Sequence, residues 1–107
     1  MAHLNTVIER VVLIELHPEY RGVEDLATIA AQTRQVLSPI PEVRALRVGT
    51  AADPRTAGSW QLCIEVQCDD LEAVERYRAH KAHRAYVDVF LRPMMASIRV
   101  YNFESTD

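Results

Sequence analysis

The stretch "WQLCIEVQC", Trp60 to Cys68, constrains the chain most. In an extended segment Trp60, Leu62, Ile64 and Val66 fall on one face, and Gln61, Cys63, Glu65 and Gln67 on the other. A helix cannot display a period of two, so this is a strand with one packed face and one wet or interfacial face. Cys63 and Cys68, five apart, point to opposite faces and cannot easily bridge each other, so both read as free thiols.

The rest of the chain supplies partners for such a strand. "VIERVVLIEL", Val7 to Leu16, is β-branched and aliphatic, and the "HPEYRG" after it is turn chemistry. From Val23 the positions Val23, Leu26, Ile29/Ala30, Thr33 and Val36/Leu37 recur at helical spacing, with Glu24 and Asp25 in the first turn, and "SPIP" stops the helix after Leu37. "EVRALRVGT" reads as a second strand and "AADPRTAGS" as a polar loop. Asp69 and Glu72 resemble a capping box for a helix whose inner stripe is Leu71, Val74 and Arg78. A further helical piece covers about His83 to Leu91, Pro93 ends it, and "ASIRVYNFE" is the last strand.

The predicted order is strand, helix, strand, strand, helix, strand, the split β-α-β pattern of a ferredoxin-like α+β fold. It implies one antiparallel four-stranded sheet with both helices on one face, in a single domain over 1–107 with its core at about 7–104. The opposite sheet face, with Cys63 and Val11 or Leu13, stays uncovered in one copy, which predicts a homodimer with the sheets face to face. The net charge of −3 and pI near 5.8 argue against nucleic acid as a partner. No signal peptide or membrane-length apolar run is read, which makes the reducing cytoplasm the expected compartment and excludes a membrane partner.

"YRAHKAHRAY", Tyr77 to Tyr86, gathers two of the four histidines. His80 and His83 at i, i+3 lack the third and fourth ligands that a metal needs, so no metal is expected. If the segment after Ala82 is helical, His83 shares an inward stripe with Val87 and Phe90, whereas His80 falls off it toward solvent and Tyr86 reads as a surface or packing residue. A partly buried imidazole suits proton acceptance at neutral pH; a core histidine bonded to a backbone carbonyl beside a packed tyrosine is the structural alternative. Arg76, Arg78, Lys81 and Arg84 stand without an intervening acid, either as a solvated rim or as an edge that attracts an anion. Arg10 lies mid-strand among apolar residues, read either as an outward charge or as an inward one paired with Glu15, Glu65 or a ligand carboxylate. Trp60 and Phe90 are candidates to line an apolar cleft, with plain core as the alternative.

The element order, with "RVVLIEL", "VRALRVG", "YRAHKAHRAYV" and "IRVYNFE", resembles the stress-responsive dimeric α+β barrel (Dabb) family over about Val7 to Glu104. The resemblance implies protomers paired through their sheets and a cleft between sheet and helices in each. One branch, that of plant olivetolic acid cyclase, closes a polyketide-type ring by aldol-like chemistry without a cofactor, and Tyr77 and His83 match its tyrosine and second helix-end histidine. Arg10 stands where that branch has a histidine, Thr33 where it has a tyrosine, and Lys81 where the family commonly has proline. The implied function is binding of a small, largely apolar, carbonyl-bearing molecule, with His83 as base, Tyr77 as oxyanion donor, and Arg10, Thr33, Trp60, Val87 and Phe90 around the ligand. A non-catalytic stress-responsive homodimer, and a monooxygenase of the related barrel type, are the other readings.

Overall fold

The computed structural model describes residues 6–106. Four strands, β1 (Thr6–Leu16), β2 (Ala45–Thr50), β3 (Leu62–Cys68) and β4 (Met95–Thr106), form one sheet in the order β2-β3-β1-β4, every neighbouring pair antiparallel. Helices α1 (Val23–Leu37), α3 (Leu71–Ala79) and α4 (Lys81–Ala85) fill the intervals, and a one-turn α2 (Pro54–Ala57) sits between β2 and β3. This is the ferredoxin-like α+β arrangement that the sequence predicts. No described helix is long and apolar enough to cross a membrane.

Strand alternation makes the sheet two-faced. The register places Ile14 opposite both Leu62 and Ile98, and Val12 opposite both Ile64 and Val100. Leu62, Ile64, Val66 and Cys68 are all nearly inaccessible, buried with Ile8, Ile14 and Leu16 of β1 against Ile29, Leu37, Val74, Tyr77 and Leu91. Full burial of each aliphatic side chain contributes roughly 1.5–3 kcal/mol, so this layer dominates the stability. The other face carries Val11, Leu13, Cys63, Glu65, Arg99, Tyr101 and Phe103. Tyr101 and Phe103 there remain half-exposed, and both cysteines are free, Cys68 inside and Cys63 on the outer face.

Local chemistry moves several predicted features. The loop after β2 contains α2, because Asp53 caps it by accepting from Thr56 N–H at 2.7 Å and Pro54 occupies the first turn. The cap of α3 is Asp70, one residue beyond the predicted Asp69, accepting from Ala73 N–H at 2.7 Å. Its inner stripe consequently runs through Ala73, Val74 and Tyr77, leaving Leu71 and Arg78 exposed. Val23, too, lies outside the α1 core stripe, being exposed at the helix start.

The period-two pattern of "WQLCIEVQC" fails at its first two residues, Trp60 and Gln61, which precede β3. β3 begins at Leu62, and Gln61 turns inward instead of outward: it is 2% exposed, its Oε1 accepts from Leu16 N–H at 2.8 Å, and its amide donates to the Ala57 carbonyl at 2.7 Å. One side chain thus satisfies a backbone donor at the end of β1 and an acceptor in α2. Gln61→Ala is expected to lower stability by about 1–3 kcal/mol, since both backbone groups lose their partner; urea denaturation of the variant measures it, and an unchanged midpoint would refute the role.

Candidate functional site

At His80 the chain leaves helical geometry for a single residue (φ −62°, ψ 138°), ending α3 and starting α4. His80 Nδ1 accepts from Ala82 N–H at 3.0 Å, so this imidazole serves as the N-cap of α4 rather than as a solvent-facing side chain. The redirected segment brings His83 back over Tyr77, with ring centroids 4.5 Å apart and planes tilted by 53°. The pair closes one end of a cleft of about 190 Å³ between helices and sheet. β1 supplies Arg10 and Val12, β3 Ile64, β4 Ile98 and Val100, α1 Leu37, and α3 Tyr77 and Arg78; His83 of α4 and then Tyr86, Val87 and Leu91 complete the wall.

Of the sequence-predicted site residues, Tyr77, His83, Arg10 and Val87 therefore meet around one cavity, and Thr33, Trp60 and Phe90 lie outside its lining. For Phe90 the reason is a π-helical turn over Tyr86–Leu91 that continues α4. Bonding from i to i+5 widens the turn, so Leu91 replaces Phe90 on the face shared with Tyr86 and Val87. Phe90 instead packs beside the Tyr86 ring at 5.5 Å. Trp60 precedes β3 and lies against Arg99, whose guanidinium carbon is 6.0 Å from the indole centroid. Arg99 pairs with Leu13 on the outer face, so Trp60 belongs to the opposite side of the sheet from the cleft.

Thr33 is fully buried and its hydroxyl is committed. It donates to the Ile29 carbonyl at 2.7 Å, and the Tyr86 hydroxyl lies 2.6 Å away. With its single proton on Ile29, Thr33 is the acceptor and Tyr86 the donor. Tyr86, read from the sequence as surface or packing, is thus a wall residue fixed from behind by α1; burial pushes its phenol up to about 12.

The hydrogen bonds settle the protonation geometry of His83. Nδ1 lies 3.1 Å from the Arg78 carbonyl, which can only accept, so Nδ1 carries the proton and the neutral ring has a bare Nε2. Burial is the largest influence on this imidazole and lowers its pKa; the Arg78 carbonyl opposes that effect, while the Arg10 and Arg78 guanidinium groups add to it. Tyr77 is 2% exposed, and burial raises its phenol well above the ordinary value, partly offset by Arg10. Among the described residues no fully buried side-chain polar atom lacks a partner and none bonds the Tyr77 hydroxyl, which leaves that hydroxyl open to the cleft.

Arg10 points inward, as one of the two sequence readings has it, but without either predicted acid. Glu65 faces the other side, opposite Val11, and Glu15 pairs with Arg21 at 3.5 Å. The Arg10 guanidinium instead donates to Asn102 Oδ1 at 3.3 Å. The basic rim is also less free than its sequence suggests, since Arg76 reaches Glu42 at 3.5 Å and Arg78 bonds both oxygens of Glu75 at 3.1 Å.

With this geometry in place, the sequence is found to match the Stress Responsive A/B Barrel Domain (Dabb) over residues 8–105. The chain belongs to the Dabb family. Solved structures share its fold. A Dabb protein with a ferredoxin-like fold from Mesorhizobium loti superposes with a TM-score of 0.77 at 18% identity, covering 92% of this chain and 95% of its own. A dimeric ferredoxin-like protein of unknown function from Bacteroides fragilis gives 0.73 at 21% identity, covering 92% and 96%. The hydroxynitrile lyase of Passiflora edulis gives 0.75 at 14% identity, covering 92% and 93%. No curated protein sequence matches this Dabb chain.

The depressed His83 pKa has a definite consequence for stability. Above the unfolded value near 6.5 both states hold a neutral ring, and the full stability is present. As pH falls from there toward the folded pKa, the unfolded chain takes up the proton first, so stability is lost over that window. The wild-type unfolding free energy is expected to decline below pH about 6.5 more steeply than that of His83→Gln. Parallel pH slopes in chemical denaturation would contradict the burial assigned to His83.

Proposed function

We propose that this Dabb protein binds a small, largely apolar, carbonyl-bearing molecule of polyketide-like character and turns it over by cofactor-free acid–base chemistry of the aldol type. The observation that carries the reading is a largely apolar cleft walled by a histidine with a bare Nε2 and a tyrosine held protonated by burial. Neutral His83 removes a proton from the carbon next to the substrate carbonyl, and the electron pair moves onto the carbonyl oxygen. Tyr77 donates its hydroxyl hydrogen bond to that oxygen as charge develops. The enolate carbon then bonds to a second carbonyl carbon of the same chain, whose oxygen takes the proton back from His83. A lyase among the structural neighbours is compatible with proton-transfer chemistry on this fold, although the likeness itself extends to the fold alone.

The test needs no knowledge of the natural substrate. Purified protein in D₂O is expected to accelerate deuterium exchange at the carbons flanking the carbonyl of 2-heptanone, read by proton NMR, with His83→Ala slower by about 10²–10⁴. Exchange equal in wild type and His83→Ala would remove His83 as base. Binding of 2-heptanone without acceleration would replace the enzyme with a non-catalytic ligand-binding protein.

The assembly belongs to the same reading: a homodimer formed through the open sheet face. Val11, Leu13, Tyr101 and Phe103 form an apolar patch on that face, edged by Glu9, Glu65 and Arg99, and the Bacteroides fragilis relative is described as dimeric. Native mass spectrometry is expected to give a dimer for the wild type and a monomer for Val11→Asp. A dimeric Val11→Asp protein would move the interface elsewhere.

A further inference from the structure

We propose that the cleft is selective for a monoanion: its ligand carries a carboxylate that docks on Arg10, beside the carbonyl that faces Tyr77 and His83. The inference rests on the acid–base reading of the cleft and adds the charge of the molecule it takes.

The first observation is placement. β1 presents Ile8, Arg10, Val12, Ile14 and Leu16 to the helices, and Arg10 is the one charged member of that series. A guanidinium on an inward strand position loses hydration, and burial depresses its pKa. The second is the lack of an ionic partner: among the described residues no carboxylate lies within ion-pair distance of Arg10, whose side-chain bond goes to the neutral amide of Asn102 at 3.3 Å. Glu75, a carboxylate whose charge acts on Arg10, is committed to Arg78 through both of its oxygens. The Arg10 guanidinium has five N–H donors, and a single amide oxygen leaves most of them for a ligand.

These facts point to a carboxylate rather than to a second neutral oxygen. The planar fork of arginine matches a carboxylate with two parallel hydrogen bonds, and such charge-assisted pairs are about twice as strong as neutral ones. The wall of Val12, Ile64, Ile98 and Leu91 is apolar while the Arg10–Asn102 bond is exposed, so the pair would form at the partly wet edge of the cleft, where salt can screen it. An anion on Arg10 would also relieve part of the positive field acting on His83, making that ring a better proton acceptor when the cleft is occupied.

The experiment compares anionic heptanoate with neutral 2-heptanone, of similar length, by isothermal titration of the purified protein at neutral pH. Wild type is expected to bind heptanoate about 10- to 100-fold more tightly than 2-heptanone, the ratio expected for charge-assisted hydrogen bonds. That ratio should collapse toward unity in Arg10→Gln and survive in part in Arg10→Lys. In wild type alone the preference should shrink as sodium chloride is raised, which decides the matter even where a variant folds poorly. A ratio near one in wild type, or one retained in Arg10→Gln, overturns the anion assignment while 2-heptanone binding keeps the carbonyl cleft standing. If neither compound binds, both readings fall.

Discussion

Alternation along β1 places a guanidinium under the helices, and much of the site's character depends on that constraint. Ile8, Val12, Ile14 and Leu16 must face the core for the sheet to bury its apolar surface, and Arg10 shares their phase. A one-residue slip would bring Arg10 into water but expose four aliphatic side chains, each worth roughly 1.5–3 kcal/mol when buried. The sheet therefore holds Arg10 beside Tyr77 and His83, where its charge lowers the pKa of both rings relative to burial alone. For the phenol this opposes burial, and for the imidazole it adds to it, because the two groups carry opposite charges when ionised.

The second determinant is the break at His80. A continuous helix from Leu71 through Leu91 would have carried His83 along the axis of α3, away from Tyr77. One extended residue, stabilised by its own imidazole as a cap, folds the chain back and brings the two rings into tilted contact. The Arg78 carbonyl, freed at the end of α3, is then the group that fixes the His83 tautomer. The π turn that follows and the Tyr86–Thr33 bond lock the far wall onto α1. The cavity is thus framed by side chains whose own polar atoms are already satisfied, leaving the Tyr77 hydroxyl, the His83 Nε2 and most of the Arg10 donors for a guest.

Much of this was legible in residue order. Period two in "WQLCIEVQC" and the β-branched, aliphatic run "VIERVVLIEL" gave two of the strands, the 3.6 spacing from Val23 gave α1 to its last residue, and the inward turn of His83 followed from its stripe with Val87. Three placements were not legible, each for a stated cause. Trp60 looked like the first inward residue of β3, but the bend at Gln61 breaks the alternation because the Leu16 N–H, 45 residues earlier, needs that side-chain amide. Phe90 looked like the next member of the His83 stripe, but the α-helical period does not hold through a π turn. Tyr86 looked peripheral, since nothing in its neighbourhood announces that Thr33, 53 residues earlier, will be its partner.

The sequence by itself determined the element order, the two-faced sheet and the candidacy of Tyr77 and His83, because periodicity and capping act over a few residues. Only the tertiary structure decided which polar groups are spent and which are left over. That Glu42 reaches Arg76, that Glu65 is turned away from Arg10, and that Tyr86 and Thr33 share a hydrogen bond all depend on which faces of separate elements meet. Hydrogen bonds and ion pairs are satisfied in three dimensions, and no local pattern records which donor remains without an acceptor.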